Sequence, residues 1–255
     1  MLVELAPGGS DAFDRLVRLA QRPFHLLATT PKPVIASVQG HALGAGFQLA
    51  LAADLRVVAG DVSFGMLELR YGIVPDLGGN HRLSALVGPA RAKELIWTTL
   101  RVDADESLRI GLANRVVPAD RLEAETDALA AELAAAAPLP VHHVKALVDW
   151  AAESGFEASM ERERQAQMVC LGSDDAAEAL AASLERRPPR FTGRRGAGYN
   201  RVSCSEPAPS SPRRGRHRWP RVNRSATSGR GCRPPARATR SETVDVAARW
   251  WSLAA

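Results

Sequence analysis

Cysteine is scarce in this chain, lysine is absent after Lys145, and no apolar run is long. Each shortage excludes something. The three cysteines, Cys170, Cys204 and Cys232, are odd in number and have no ligand-like spacing, which argues against a disulfide framework and against a zinc site. No metal is expected. No stretch approaches the ~20 apolar residues that a membrane helix needs, so no membrane partner is expected. The opening "MLVELAPGGSDAF" has neither a basic leader nor an apolar core of signal-peptide type. The resulting expectation is a protein of the reducing cytoplasm.

What the chain has in excess is arginine, and its placement matters. The pI of 9.6 taken alone suggests a nucleic-acid partner. Residues 1–185 carry 16 basic and 25 acidic side chains, net −9, whereas residues 186–255 carry 17 arginines against 3 acids, net +14. The body is therefore acidic and the basicity belongs to the end of the chain. Nucleic acid is not the expected partner of the body. Beyond Pro188 the composition turns to Arg, Pro, Ser and Gly with almost no periodic apolar positions. Such a segment cannot offset its ordering entropy by burial, and disorder is expected there. Its arginine bias without lysine resembles out-of-frame translation of GC-rich DNA as much as a binding arm.

Hydrophobic periodicity predicts an amphipathic helix over 11–28, on Phe13, Leu16, Val17, Ala20 and Phe24. "PVIASVQ" reads as a buried strand, Gly40 to Gly46 as a turn, and 46–53 as an apolar helix. "DLRVVAG" and "VSFG" read as two further strands, followed by the glycine-rich loop "YGIVPDLGG". Helices are expected over 79–87 and 89–98, then a short helix in "DADESLRIGL" and a strand in "ANRVVP". Four helices follow, at 119–136, 140–152, 157–171 and 174–186. The pattern predicts an α/β core with a helical appendage: a core over 1–140, a helical region over 141–193 and a basic tail over 194–255.

The stretch "KPVIASVQGHALGAGFQLALAADLRVV", Lys32 to Val58, holds the chemistry. A strand enters a turn with almost no side chains and leaves as a helix. The first N–H groups of a helix lack internal partners and carry partial positive charge. Small residues at Gly44, Ala45 and Gly46 leave those donors reachable by an anion or a developing oxyanion. The spacing is not that of a dinucleotide or phosphate loop. Taken alone, the turn is equally compatible with close strand–helix packing and no ligand.

The longer run "KPVIASVQGHALGAGFQLALAADLRVVAGDVSFGMLELRYGIVPDLGGNHRLSALVG" resembles the core signature of the crotonase superfamily, the enoyl-CoA hydratase/isomerase group. The similarity continues through "PARAKELIWTTLRVDADESLRIGLANRVVP" and ends near "SLERRPPRF", covering about residues 1–193. It implies a ClpP/crotonase-type ββα superhelix with a helical C-terminal trimerisation region, assembled as a homotrimer or hexamer. It implies a fatty acyl-CoA thioester as substrate, with coenzyme A as part of that substrate and no separate cofactor. It also implies an oxyanion hole of two backbone N–H groups, one of them on Ala45. The turn residues Ala42, Leu43 and Gly44, together with Met66, Leu67 and Asp76, make the implied substrate-binding set. The family's second oxyanion donor lies in an upstream "F-x-A-G-x-D" segment that this sequence does not contain. The expectation is a chain starting downstream of several family strands, with little or no turnover as it stands.

Hydratases of this family use two glutamates. The positions matching them here are Gln48 and Glu68, the latter in "FGMLEL". Hydration needs one group to deprotonate a water and another to handle the α-proton. Glutamine orients water but does not exchange its proton. A single carboxylate resembles the double-bond isomerases of the family, in which one base carries a proton between C2 and C4. Asp76, in "VPDLGG", matches the position of an additional acid in dienoyl-CoA isomerases, or is a helix-capping or solvated loop residue. A weak hydratase and a non-catalytic crotonase-like remnant are the competing readings. Trp97, beside Leu95 and Ile96, is expected in the core, His142 and His143 diverge on their helix, His41 is packed or exposed, and Lys145 is a candidate for a CoA phosphate.

Overall fold

The computed structural model describes residues 9–194. The expected disordered tail, Cys204, Cys232 and the first eight residues lie outside the described residues.

Two short parallel sheets are built in alternation. Strand β1 (Ile35–Val38) is followed by β2 (His41–Leu43), helix α2 (Ala45–Ala52), β3 (Leu55–Ala59) and β4 (Ser63–Gly65). The second strand of each pair goes to the second sheet: β3 pairs with β1, and β4 pairs with β2, both in parallel. The step is strand, strand, helix, and it repeats when β5 (Arg115–Val117) adds to β3, giving the order β1-β3-β5. Parallel neighbours require such crossovers.

Strand β3 shows why the sheet is covered on both sides. Side chains alternate faces along a strand. Val58 enters the main core with Phe47, Leu51, Phe64, Met66, Leu83, Leu95 and Leu112. Val57 and Ala59 face the opposite way, against Leu122 and Leu129 of α6 (Leu122–Ala135). The Phe47 and Phe64 rings meet at 5.0 Å, tying α2 to β4. Between those apolar neighbours Arg56 is buried. Its guanidinium donates to the carbonyls of Leu112 at 2.6 Å and Ala53 at 2.9 Å, closing the end of α2 onto the loop before β5. Burial lowers its pKa from the ordinary value.

The 40–46 turn differs from the sequence expectation. It is two turns with a strand between them. Gly40 (φ 64°) and Gly44 (φ 53°) take the left-handed backbone that glycine tolerates, and His41–Leu43 pair with β4. His41 is exposed.

The remaining helices follow the predicted order. The first, α1 (Gly9–Thr29), packs on α2, and the Gln21 Nε2 donates to the Asp76 carbonyl at 2.6 Å, fastening the 72–78 loop. Helices α3 (Gly79–Val87), α4 (Pro89–Thr98) and α5 (Ala104–Arg109) lead to β5. Asp103 caps α5 by accepting from the Glu106 N–H. Trp97 is not in the core; it is 68% exposed. Leu95 and Ile96 hold the buried face of α4, and Trp97 is turned away from it, about 100° further round the helix.

Beyond α6 come α7 (Pro138–Ala151), α8 (Phe156–Leu171) and α9 (Asp174–Glu185). Lys145 on α7 is engaged within the fold rather than presented to a phosphate. Its ammonium donates to Asp54 Oδ2 at 2.8 Å and to the Lys32 carbonyl at 3.1 Å. The segment after α9 folds back onto it: Arg187 pairs with Glu178, and the Thr192 and Gly193 N–H groups donate to the buried Asp175 at 2.7 and 2.8 Å.

Candidate active site

Two facing elements bring the functional side chains together. The first is α2, whose N-cap is Gly44 at φ 53°, ψ −117°. The Gly44 N–H donates to the Gly65 carbonyl at 2.8 Å, so it is already used. The next N–H, that of Ala45, opens the helix and has no partner among the described residues. It is the donor that the turn was expected to present. Ala42 is buried and Leu43 half-buried on the strand just before.

The second element follows β4. Met66 is buried, Leu67 is half-buried, and Glu68 opens a short 3-10 turn (Glu68–Tyr71) ended by Gly72 at φ 69°. Leu43 and Leu67 come together over Gly65, where a Cβ would stand 3.2 Å from Leu43 Cδ2 and 3.3 Å from Leu67 Cδ2. The turn aims Glu68 inward. Its side chain is enclosed, with the residue only 3% exposed, and it meets Gln48 of α2, which is 1% exposed.

The contact between them is specific. Gln48 Nε2 donates to Glu68 Oε1 at 2.8 Å. Gln48 Oε1 accepts from the Leu77 N–H at 2.9 Å and the Gly79 N–H at 3.1 Å. Those two backbone groups are donors only, so the amide atom facing them is the oxygen and the NH₂ faces the carboxylate. Glu68 Oε2 is buried without a hydrogen-bond partner among the described residues. Burial pushes the Glu68 carboxyl above the ordinary glutamate range. Its own N–H, the Gln48 amide and the Leu67 N–H pull it partly back, while the Asp76 charge adds to the rise.

Of the expected site residues, the structure brings Gln48, Glu68 and Met66 into one cluster. Asp76 is not in it: the side chain is exposed, it does not cap α3, whose N-cap is Gly78, and it reaches Glu68 only through its charge. Sequence reasoning missed Gly79. A Cβ there would fall 2.6 Å from Met66 Cε and 2.7 Å from Gln48 Cγ. The paired glycines of "DLGG" are the available signal, which the sequence reading takes only as part of a glycine-rich loop.

Two cavities elsewhere are less suited to chemistry. One of about 690 Å³ is a seam of paired acids and arginines between α9 and the segment folded on it. Another, of about 310 Å³, is an apolar cleft between Pro31–Ile35 and the α6–α7 junction. Neither is lined by Gln48 or Glu68.

Alternating strand–strand–helix steps, a glycine turn opening a helix and an inward carboxylate after the next strand define the crotonase fold. The solved structure of an enoyl-CoA hydratase from Bacillus anthracis superposes with a TM-score of 0.70 at 33% identity, covering 74% of this chain and 73% of that one. The family model described as Enoyl-CoA hydratase/isomerase matches residues 9–194, and the chain belongs to that family. A crotonyl-CoA hydratase from Syntrophomonas wolfei is 38% identical over 173 residues, which is 68% of this chain and 66% of the relative. The chain thus spans about two thirds of the length of the curated relatives it matches. A Thermobifida fusca protein solved in complex with acetoacetyl-CoA gives a TM-score of 0.62 at 38% identity, covering 63% of each chain. No described helix is long and apolar enough to cross a membrane.

Proposed function

We propose that this chain carries the site of a double-bond isomerase acting on fatty acyl-CoA thioesters, with Glu68 as the single proton shuttle. One observation supports this most: both ends of the Gln48 amide are occupied, one by Glu68 and the other by two backbone N–H groups. The position that would supply a second acid/base is therefore neutral, and its amide is held at both ends.

The chemistry balances with one base. Glu68 takes a proton from C2 of a 3-enoyl thioester. The C–H electron pair moves into a dienolate, with charge on the thioester oxygen, where the Ala45 N–H donates. The electrons then return to form the C2–C3 double bond as C4 takes the proton back from the same carboxyl. A fixed donor at the developing charge stabilises the transition state. A carboxyl raised by burial is a better match to proton transfer near neutral pH than an exposed one. Leu43 and Leu67, half-buried over Gly65, give the acyl chain an apolar surface, whereas Ala42 and Met66 belong to the buried core. The reaction uses no cofactor beyond the coenzyme A of the substrate.

Hydration at a low rate is the second reading, favoured by relatives named as hydratases. The discriminating experiment offers 3-enoyl-CoA and 2-enoyl-CoA to the chain, with an upstream F-x-A-G-x-D segment supplied ahead of Met1. Isomerisation exceeding hydration supports the proposal, and the reverse ratio refutes it. The exposed apolar side chains of the helical region, Val144 and Val148 on α7 and Leu180 and Leu184 on α9, support assembly as a homotrimer or hexamer. Sedimentation as a monomer would contradict that assembly.

A further inference from the structure

Buried carboxylate oxygens are normally hydrogen-bonded, and an orphan is costly enough to need a reason. Glu68 has one oxygen of each kind, and the difference between them comes from the Gln48 amide. Leu77 and Gly79 fix the amide oxygen from one side, which fixes the NH₂ toward Glu68 Oε1 on the other. Rotating the amide would set its NH₂ against two N–H donors and its oxygen against a carboxylate. The arrangement therefore has one sense only.

We propose that Gln48 is a positioning residue: its amide holds Glu68 Oε1 permanently as an acceptor, so that Oε2 alone takes and returns the proton. This rests on the proton-shuttle reading of Glu68. When Glu68 is ionised, Oε1 accepts from Gln48 and Oε2 carries the free lone pairs. When Glu68 is protonated, Oε1 still accepts and the O–H is on Oε2. No rearrangement of the pair is needed between the two halves of the reaction. The carboxylate plane is held through both, which suits a base that must serve two carbons of one substrate. Gly79 enters the same device, because its missing Cβ leaves the room that the Gln48 side chain occupies.

The test is a titration of the pair itself. Protein labelled with carbon-13 at the glutamate carboxyl is followed by NMR against pH, with the Glu68 resonance identified by its loss in Glu68→Gln. The Gln48 side-chain NH₂ is followed in the same samples. The expected result is that the NH₂ resonance moves with the Glu68 midpoint. Gln48→Met, which removes the donor, should raise that midpoint by about one pH unit. With the F-x-A-G-x-D segment supplied, C2-proton exchange from a 3-enoyl-CoA in D₂O should show kcat falling in Gln48→Met with KM unchanged, and its acidic limb should move with the NMR midpoint. An unchanged Glu68 midpoint in folded Gln48→Met overturns the positioning role. Should that variant not fold, Gln48→Glu keeps an acceptor for Leu77 and Gly79. It should then give two coupled midpoints, and two independent ones overturn the proposal. A shifted midpoint with no C2 exchange in the wild-type chain supplied with the F-x-A-G-x-D segment overturns the shuttle reading alone, so the two failures are distinguishable.

Discussion

Gly79 and Gln48 are in contact at the limit of what a backbone allows: a Cβ on Gly79 would come within 2.7 Å of Gln48 Cγ and 2.8 Å of Gln48 Oε1. The Gly79 N–H meanwhile donates to that same oxygen. Gly79→Ala forces the Gln48 and Met66 side chains to move. Overpacking of this kind costs about 1–3 kcal/mol. Chemical denaturation should show that loss, and proton exchange at C2 should fall with it. A variant as stable as the wild type would show that the amide has room to shift.

Glu68 gives the fold a pH dependence of unusual sign. In the unfolded chain it ionises near the ordinary value of 4.5; in the folded chain burial raises it. Between the two, the folded state binds more protons, so stability falls as pH rises through that window and is level above it. Glu68→Gln has no such titration. The stability of the wild type relative to this variant should therefore decline as pH rises from about 4.5. Denaturation midpoints at a series of pH values measure it, and a rising difference contradicts the burial account.

The segment folded back on α9 should respond in the opposite direction. Hydrogen bonds from Arg187, and from the Arg190 N–H at 2.8 Å, hold the Glu178 carboxyl down to about 2. A depressed carboxyl contributes stability above its unfolded value, lost as pH falls through the folded one. The Arg190 amide should therefore lose its protected NMR shift as the pH is lowered toward 2, and Glu178→Gln should abolish that dependence. A pH-independent Arg190 shift in the wild type would refute the anchoring.

Gln48→Glu returns a second titratable group to the pair. Two carboxyls at this separation cannot both ionise and will share a proton. One of them can then handle water while the other handles the α-proton. Hydration of a 2-enoyl-CoA should rise by as much as ~10²-fold, with isomerisation changed less. Steady-state rates on both substrates check this. An unchanged hydration rate would show that a second carboxyl at this position does not serve a water.

The fold was legible where glycines and β-branched runs punctuate the chain. "PVIASVQ", the apolar helix after Gly46 and "DLRVVAG" lie within a residue or two of β1, α2 and β3. The strand His41–Leu43 was not, because three residues carry no detectable alternation; only its pairing with Ser63–Gly65 reveals it. Trp97 misled because helical spacing locates a residue on a cylinder without saying which arc is buried. In the candidate site, Glu68 and Gln48 stand out from the family resemblance, but the state of the amide does not. Its partners Leu77 and Gly79 are 29 and 31 residues along the chain, and they are backbone groups, which leave no side-chain signal. The partner of Lys145 was hidden for a similar reason: Asp54 is 91 residues away.

The most direct test of the account is Glu68→Gln assayed on 3-enoyl-CoA, with the upstream segment supplied and with C2-proton exchange in D₂O recorded beside product formation. Glutamine preserves an acceptor for the Gln48 amide and the volume of the site, and removes only the transferable proton. Loss of a general acid/base lowers the rate by ~10²–10⁴-fold. The account predicts that exchange and isomerisation fall together by that factor, with binding of the thioester retained. Wild-type turnover in Glu68→Gln would contradict it.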